Sequence, residues 1–545
     1  MSTQKTVTKA AAIMMAAILL SRVLGLVRDM VISGIFGQAR NTDIYYAAFG
    51  LPDLLFYLIA GGVLSSAFVP VFVEYLSTDR REHAWHLFSI IATVMAVVVG
   101  VFIIIGEIFA RRLVPYVAAP GFHSGALDQV AHLTRIVLPA QLFFFLGGLM
   151  MASLWAHNQF VAPGLGPSIY NIGIIVGGAI AGSQLGPIRG IEGLAWGALA
   201  GAFLGNFVLQ LVVLRRHGLS FKPSFNVRHP GAVKVWKLMV PVIFSLSLTQ
   251  VDVWVNRWFA TWLFAGAVSA LDRANRLMQV PIGVFGQAIA IGFYPTLAAQ
   301  YSTGQMKEFR ETVNYGLRAI SFVAIPSTVL IIVLRVPIIQ LLFQHGRFKA
   351  EATQDVASAL AFYALGIFAW SGQALVARAF YSMQHTLTPV LTGTAMTAIF
   401  IPLNVLLMGV MRHAGHHMEH TGLALATTIA ASGDMALLLF FLRRRAGGIN
   451  ARRILVSIGK ICAASAPMGI GMWFTLIWVG HSLPAETPLK VSAGLRVLLP
   501  IAVGGALFLT MVRVLRMEEA ATVWNMVRRR FVRRRDEEET MSDEQ

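Results

Sequence analysis

The fold is decided by the stretch Leu87–Ala110, which reads LFSIIATVMAVVVGVFIIIGEIFA. Its only charged residue is Glu107, and it exceeds the roughly 20 apolar residues that a helix needs to cross a bilayer. Similar runs recur along the 545 residues, of which 56% are hydrophobic and only 13% charged. An ordinary soluble domain carries about 25% charged residues. The sequence therefore predicts an all-α polytopic membrane protein.

Apolar runs of spanning length, bounded by polar, Gly or Pro residues, predict about fourteen transmembrane helices. They cover residues 10–36, 44–74, 85–110, 129–156, 160–182, 191–214, 233–263, 267–299, 313–336, 353–381, 387–410, 420–442, 454–480 and 491–514. We group them into a six-helix N-terminal lobe (1–216), a six-helix C-terminal lobe (217–445), two additional helices (446–516) and a charged tail (517–545).

A faint internal repeat supports the two lobes. Phe68-Val-Pro70 in the second span is followed by Tyr75, and Phe293-Tyr-Pro295 in the eighth is followed by Tyr301. A six-helix unit repeated in tandem keeps its orientation, which predicts a substrate site between the lobes near the middle of the membrane.

Basic residues set the predicted orientation. Segments that follow an even number of predicted spans lie on the same side of the membrane as the N-terminus. The basic residues concentrate in such segments: Arg215 to Lys237, Arg443–Arg445, and the tail with Arg528–Arg530 and Arg533–Arg535. The positive-inside rule then places both termini in the cytoplasm. The basic tail is interpreted as a topology anchor, with binding of anionic lipid or a partner as the alternative.

Several functions are disfavoured by the residues themselves. The net charge of +18 could suggest nucleic acid, but the basic residues lie between apolar runs, so we predict no nucleic-acid partner. A single Cys462 allows no disulfide within the chain. The sequence lacks a Walker A loop, an HExxH motif and a nucleophile elbow, which disfavours transport driven by ATP hydrolysed on this chain. We predict neither an enzyme nor a cofactor. Histidines around His413–His420 could hold a metal, but an exposed loop explains them and no metal site is predicted.

Charged residues inside two predicted spans are the main functional signal. The first span contains Arg22, Arg28 and Asp29, and the eighth contains Asp272, Arg273 and Arg276 together. An Arg or Asp at the centre of a spanning helix costs about 2.5–3.5 kcal/mol on insertion scales, so these side chains must face polar surroundings.

Arginine suits a diphosphate because its planar guanidinium donates paired hydrogen bonds and stays charged. Gly25 permits a bend that would turn Arg22 and Arg28 toward one cavity, and Arg273 shares a helix face with Arg276. The residues therefore predict a cationic cavity. The alternative is that the arginines form ion pairs that lock helices together, with Asp29 and Asp272 as partners.

The first two spans also resemble a known family. Ser21-Arg-Val-Leu-Gly-Leu-Val-Arg28-Asp29, then Thr42-Asp43, Leu51-Pro52 and Ala67-Phe-Val-Pro70, are similar to the start of the MurJ (MviN) family of lipid II flippases, in the multidrug/oligosaccharidyl-lipid/polysaccharide exporter superfamily. The resemblance continues through Asn158-Gln159-Phe160, Arg276-Leu-Met-Gln-Val-Pro281 and Thr388-Pro389.

This resemblance implies fourteen helices in the bacterial inner membrane and alternating access that carries lipid II to the periplasmic face. It implies an apolar groove on the last two helices for the polyprenyl tail, and lipid II, membrane lipids and other cell-wall synthesis proteins as partners. It implies that Arg22, Arg28 and Arg276 engage the diphosphate and that Ser21, Asp29 and Asp43 are functionally sensitive.

The chain departs from the family pattern at several positions. Phe56 and Tyr57 stand where the family often has basic residues, and Gly61 stands where it has an acid. Asn275-Arg276 replaces the Asp-Arg pair of the family, and Asp272-Arg273 replaces an aromatic pair. We therefore expect Arg273 to supply the missing cation and Asp272 the missing acid.

Two other functions stay open at this point. One is export of another polyprenyl-diphosphate oligosaccharide or antiport of cationic drugs, although cavity arginines disfavour a cation. The other is a membrane-embedded enzyme acting on polyprenyl lipids, which would need clustered Asp, Glu or His at the membrane surface, and no such cluster with convincing spacing occurs in the sequence.

Overall fold

A computed structural model describes residues 2–59, 63–78, 80–248, 251–415, 417–484 and 486–519, and every regular element within them is helical. The tail from residue 520, Gly61 and His416 lie outside the described residues, and of the Tyr57 side chain nothing is described. The helices are α1 (Ser2–Phe36), α2 (Arg40–Ala48), α3 (Gly50–Ile59), α4 (Val63–Ser77), α5 (Arg81–Val117), α6 (Ser124–Val137), α7 (Ala140–Ala156), α8 (Val161–Arg189), α9 (Ile191–Gly201), α10 (Leu209–Arg216), α11 (Pro230–Leu248), α12 (Val251–Ala260), α13 (Ala267–Pro281), α14 (Gln287–Ser302), α15 (Met306–Leu342), α16 (Ala350–Ala364), α17 (Ile367–Ser382), α18 (Leu387–Arg412), α19 (Glu419–Arg445), α20 (Ala451–Ser482) and α21 (Leu489–Val514). Two π-helical segments, Ala202–Val208 and Ile282–Gly286, join α9 to α10 and α13 to α14.

Membrane-spanning character is confirmed for most of the chain. Ten helical segments of the described residues are long and apolar enough to cross a bilayer, and α16 with α17, bent by 42°, would make an eleventh. The other three predicted spans are occupied by α1, by α2 to α4 and by α11 with α12. The polytopic all-α prediction is therefore correct, whereas the count of fourteen stays a prediction.

The helices α5 and α15 are longer than predicted. Each has 37 residues, where the apolar runs predicted 85–110 and 313–336. Polar first turns continue both helices beyond the apolar run, as Arg81-Glu82-His83 does in α5. A helix of this length is about 55 Å long, whereas the hydrocarbon core is about 30 Å thick. Both helices therefore extend well beyond the apolar layer.

The helix bounds repeat along the chain. The helices α5 and α15 have equal length and begin 225 residues apart, at Arg81 and Met306. The connection from α7 to α8 and that from α17 to α18 each have four residues, with the second in the left-handed region at φ 57° (Asn158 and Gln384). The third residue of each connection donates its N–H to the carbonyl five residues earlier. A tandem repeat predicts this kind of similarity.

Glycines allow α8 and α9 to pack backbone against backbone. A Cβ on Gly177 would lie 2.2 Å from the Gly193 carbonyl oxygen, and one on Gly197 would lie 2.3 Å from that of Gly173. Small residues four apart on facing helices are the usual basis of close packing in membranes, where van der Waals contact replaces the hydrophobic effect. These two helices therefore form a fixed pair.

The chain divides into two compact units. The first comprises the chain up to Asp272 together with Phe343–Ala352, and its core contains the ring contacts of Phe68, Phe72 and Trp85. The second comprises Arg273–Leu342 and the chain from Thr353, and one of its cores packs α15 against α20 and α21. The predicted lobe boundaries stay a prediction.

Candidate functional site

Arg28 in α1 is held by two neighbouring side chains. Its Nε and Nη2 atoms donate to Asp29 Oδ1 at 3.0 and 2.9 Å, and its Nη1 donates to Asn171 Oδ1 of α8 at 3.0 Å. Asn171 in turn donates to the backbone carbonyl of Ser21 at 3.3 Å. Asp29 is only 3% exposed, so the pair is nearly removed from solvent. Arg28 is therefore paired with Asp29, as the ion-pair alternative expected, but this pair lies within α1, and the link to α8 is made by Asn171.

Arg22 is in a different environment from Arg28. Its side chain is exposed, whereas that of Arg28 is 13% exposed. The helix α1 is continuous through Gly25, and Ser21 beside Arg22 is half-buried. Of the two arginines of the first span, Arg22 is therefore the one that can meet a ligand without first giving up an acidic partner.

Asp43 is fully buried and caps the helix that carries the second charge cluster. Its Oδ2 accepts the Gly266 N–H at 2.6 Å, and its Oδ1 accepts the Ser269 N–H at 2.9 Å. These N–H groups lie at the start of α13, where the helix dipole favours a negative charge. Gly266 has φ +105°, a conformation open mainly to glycine, so the chain turns into α13 at this residue. Asp43 thus fixes where α13 begins.

The charges of α13 are distributed unequally. Asp272 lies 3.9 Å from Arg257 of α12, which also pairs with Asp53 of α3 at 3.0 Å. Arg273 is fully buried, Asn275 is half-buried and Arg276 is exposed. Arg273 and Arg276 were expected to share a helix face. They nevertheless lie in different environments, because packing covers Arg273 completely and leaves Arg276 exposed.

Sequence reasoning missed the role of Arg257. Within α12 its nearest acid is Asp252, five residues away, a spacing that disfavours a pair along one helix. In the structure it joins the carboxylates of Asp53 and Asp272, from helices that are distant in sequence. The available signal was an arginine in a spanning helix without an acid at i±3 or i±4.

A second unpredicted feature is a cavity of about 990 Å³ in the second unit, among α14, α15 and the start of α20. Its lining includes Lys307, Arg310 and Arg453, together with Asn314, whose buried Oδ1 lacks a hydrogen-bond partner. None of the predicted site residues lines it among the described residues.

An ion-pair cluster borders this cavity. Arg318 Nε donates to Glu519 Oε1 at 2.6 Å, and Ser457 Oγ donates to the same oxygen at 2.7 Å. Burial acts to raise the pKa of Glu519, but the hydrogen bonds from Ser457 and Arg318 outweigh it and hold that pKa below its usual value. Hydrogen bonds from Arg318 and Arg453 also lower the pKa of the exposed Glu518. The cluster ties the segment after α21 to α15 and α20.

His420 has a structural role. It is 1% exposed, and its ring nitrogens lie 2.6 Å from the His417 carbonyl oxygen and 2.8 Å from that of Asp355. No group of three or more His, Cys, Asp or Glu residues suited to a metal occurs among the described residues.

Comparison with known proteins gives a consistent result. The family model described as lipid II flippase MurJ matches residues 32–489. A Burkholderia cenocepacia protein named lipid II flippase MurJ is 30% identical over 433 residues, covering 78% of this chain and 82% of the relative. A Vibrio cholerae protein named probable lipid II flippase MurJ is 28% identical over 481 residues, covering 86% and 89%.

The fold is also similar to a solved structure. A structure described as lipid II flippase MurJ, inward closed conformation, matches with a TM-score of 0.75 and 24% identity, covering 92% of this chain and 98% of that one. At this identity the similarity shows the fold alone.

Proposed function

Because the chain belongs to the lipid II flippase MurJ family, we propose that it moves lipid II, the undecaprenyl-diphosphate-linked precursor of peptidoglycan, from the cytoplasmic to the periplasmic leaflet of the inner membrane by alternating access. The observation that carries this proposal is the family match over residues 32–489. The first-span charges precede residue 32, so their role rests on the sequence motif and on their surroundings in α1.

The proposed diphosphate ligands fall into two groups. Arg22 and Arg276 are exposed, so they contact the diphosphate directly with charge-assisted hydrogen bonds. Arg28 is a positioning residue, held by Asp29 and Asn171, that becomes a ligand only if the diphosphate displaces part of that pair. Arg273 replaces the cation missing from the second span only in a conformation that uncovers it, since it is buried here.

The supporting residues act on these arginines. Asp29 holds Arg28, and the backbone carbonyl of Ser21 orients Asn171. Asp43 caps α13, which carries Arg276. In the same helix Asp272 faces Arg257, and Asn275 adjoins Arg276.

The remaining assignments belong to the same proposal. The lobes 1–216 and 217–445 rock to give alternating access, 446–516 provides a groove for the polyprenyl tail, and both termini, with the tail 517–545, are cytoplasmic. Exposed apolar side chains on the last two helices, such as Leu455, Trp473, Phe474 and Leu498, support a lipid-facing groove. The equal length of α5 and α15, which begin 225 residues apart, supports the two-lobe division. Other cell-wall synthesis proteins are candidate partners.

The proposal is tested by depleting the native flippase from cells that carry this chain and measuring how much lipid II a probe confined to the periplasm can reach. Arg22→Ala or Arg276→Ala should lower transport roughly 10- to 100-fold, because a hydrogen bond to a charged group contributes about 1.5–3 kcal/mol. The matched control is Arg111→Ala, which removes a side chain that is 74% exposed and pairs with Asp128 at the surface.

Each alternative predicts a different result. If lipid II reaches the periplasm equally well without this chain while another polyprenyl-diphosphate oligosaccharide is retained in the cytoplasmic leaflet, the exporter alternative is right. A membrane enzyme would return lipid II chemically changed. Full transport by Arg22→Ala and Arg276→Ala together, or by a charge reversal of Arg273, would refute the corresponding ligand assignment.

A further inference from the structure

Residues 217–229, which join α10 to α11 and are called the strap below, are attached lengthwise to α5. The Lys222 N–H donates to Ser89 Oγ at 3.1 Å, and the Ser224 N–H donates to Thr93 Oγ1 at 3.2 Å. The two hydroxyls are one helical turn apart, about 6 Å along the axis, and two residues of extended chain span about 6.6 Å. The strap therefore runs along α5 in the direction from Arg81 toward Val117.

The strap then returns to the start of α5. The ring of His229 lies 5.4 Å from that of His86 and 6.1 Å from that of Tyr75, measured between centroids. Burial, and then the neighbouring imidazoles of His86 and His83, lower the pKa of His229, so this ring is neutral at neutral pH. The strap thus runs along α5 as far as Ser224 and Phe225 and then turns back toward the start of α5.

The turn of the strap at Ser224 and Phe225 lies at the border of the apolar surface of α5. Thr93 is twelve residues from the start of α5, about 18 Å along the helix. The next turn presents Val97 and Val98, which are 48% and 38% exposed, and exposed aliphatic side chains continue beyond them. The strap therefore covers the last turns of α5 before its lipid-facing part.

The outer side of the strap combines aromatic and basic side chains. Phe221 is 49% exposed and Phe225 is 66% exposed, and Lys222 and Arg228 between and beyond them are also exposed. Exposed aromatic rings are costly in water but are favoured at the border between lipid and water, and basic residues beside them attract anionic headgroups. Since the backbone of the strap makes the contacts with Ser89 and Thr93, these side chains remain available.

We propose that the strap is an interfacial anchor that binds anionic phospholipid of the adjacent leaflet. Lys222 and Arg228 contact the lipid phosphate, and Phe221 and Phe225 lie at the level of the glycerol and upper acyl chains. The inference rests on the membrane-spanning character of α5 and holds whatever the chain transports.

The depth of the strap can be measured on the full-length protein. In a Cys462→Ser background, which removes the exposed native thiol, a nitroxide is attached to Phe225→Cys or, as the adjacent polar control, to Asn226→Cys. The proteins are placed in vesicles of phosphatidylcholine with or without phosphatidylglycerol. We expect the label at 225 to be accessible to oxygen and shielded from a water-soluble nickel chelate, and the label at 226 to be less shielded.

The charge requirement is tested with Lys222→Ser and Arg228→Ser. Each cation near an anionic membrane surface contributes about 1 kcal/mol, so each variant should weaken the preference for phosphatidylglycerol about fivefold. Arg81→Ser, at the exposed polar start of α5 about 18 Å before Thr93, is the matched control and should change this preference less, because attraction to the lipid surface falls off within a Debye length. Thermal unfolding of all variants should match that of the parent, because the strap is attached through its backbone.

Two results would overturn the proposal. If the nickel chelate reaches positions 225 and 226 equally and without shielding in both kinds of vesicle, the strap lies in water and is available to a soluble partner instead. Shielding at 225 with no change of lipid preference in Lys222→Ser or Arg228→Ser would mean that the strap has no specificity for anionic lipid.

Discussion

Replacement of Asp43 by Ala should uncouple the start of α13 from the helix bundle. The carboxylate accepts the Gly266 N–H at 2.6 Å and the Ser269 N–H at 2.9 Å, and Asp43 is fully buried, so its truncation leaves both N–H groups away from bulk water. An unpaired buried N–H costs about 1–3 kcal/mol, and loss of a helix cap costs about 0.5–2 kcal/mol. We expect Asp43→Ala to lower the free energy of unfolding by about 2–4 kcal/mol.

Asp43→Asn separates the loss of a hydrogen-bond acceptor from the loss of side-chain volume, because Asn is nearly the same size as Asp. Its amide keeps one acceptor oxygen, so one of the two N–H groups stays paired and roughly half of the destabilisation should remain. The matched control is Asp128→Asn, at a carboxylate that is 48% exposed and pairs with Arg111 at the surface. An exposed pair of this kind contributes about 0–1 kcal/mol.

The assay is the temperature at which each purified variant loses its monodisperse peak in detergent, read beside complementation of a flippase-depleted strain. The order of stability should be parent, Asp128→Asn, Asp43→Asn, Asp43→Ala, and complementation should follow the same order because α13 carries Arg276. If Asp43→Ala unfolds at the same temperature as Asp128→Asn and also complements, Asp43 does not hold α13 and the capping argument is wrong.

Three further predictions concern contacts elsewhere. Glu519→Gln should destabilise the protein by about 2–4 kcal/mol, because it leaves Arg318 buried without its full negative partner, whereas Glu518→Gln at an exposed site should have little effect on the same unfolding assay. Since the folded state lowers the pKa of Glu519, this stabilisation is present above the usual glutamate pKa and is lost as the pH falls through the lowered value, so the gap between parent and Glu519→Gln should close in acid. Gly177→Ala should destabilise the α8 and α9 pair, because its Cβ would lie 2.2 Å from a carbonyl oxygen, while Gly100→Ala, with open space around it, should be neutral or stabilising; equal effects would exclude the close packing. Arg28→Lys keeps the charge but lacks the planar guanidinium that donates three hydrogen bonds to Asp29 and Asn171, so complementation should fall although the protein stays folded, and full activity would show that only the charge matters.

Much of the architecture is readable from hydropathy alone. Every predicted span falls on a helix or a set of consecutive helices, because an apolar run of about 20 residues has few other structures open to it. The ends of α5 and α15 were underestimated, since their polar terminal turns look like loop in a hydropathy pattern. The breaks between α2 and α3 and between α16 and α17 are likewise invisible to it.

The assignment of the site residues stays a prediction, and most of their contacts could not be foreseen from the sequence. Asp29 adjoins Arg28 in sequence, so their pairing was foreseen as an alternative. The capping of α13 by Asp43 joins residues 223 apart in sequence and depends on the tertiary fold. The burial of Arg273 beside an exposed Arg276 depends in the same way on which helices pack around α13.

The helices α5 and α15 have the same length, and the connection at Asn158 has the same backbone geometry as the connection at Gln384, as the proposed two-lobe division predicts. Comparison of corresponding segments in the two proposed halves then shows where they differ. Between α10 and α11 the chain has the strap, whereas at the end of the second half only five residues separate α19 from α20. In the proposed two-lobe division, this difference in length marks a segment in which the two halves are not alike.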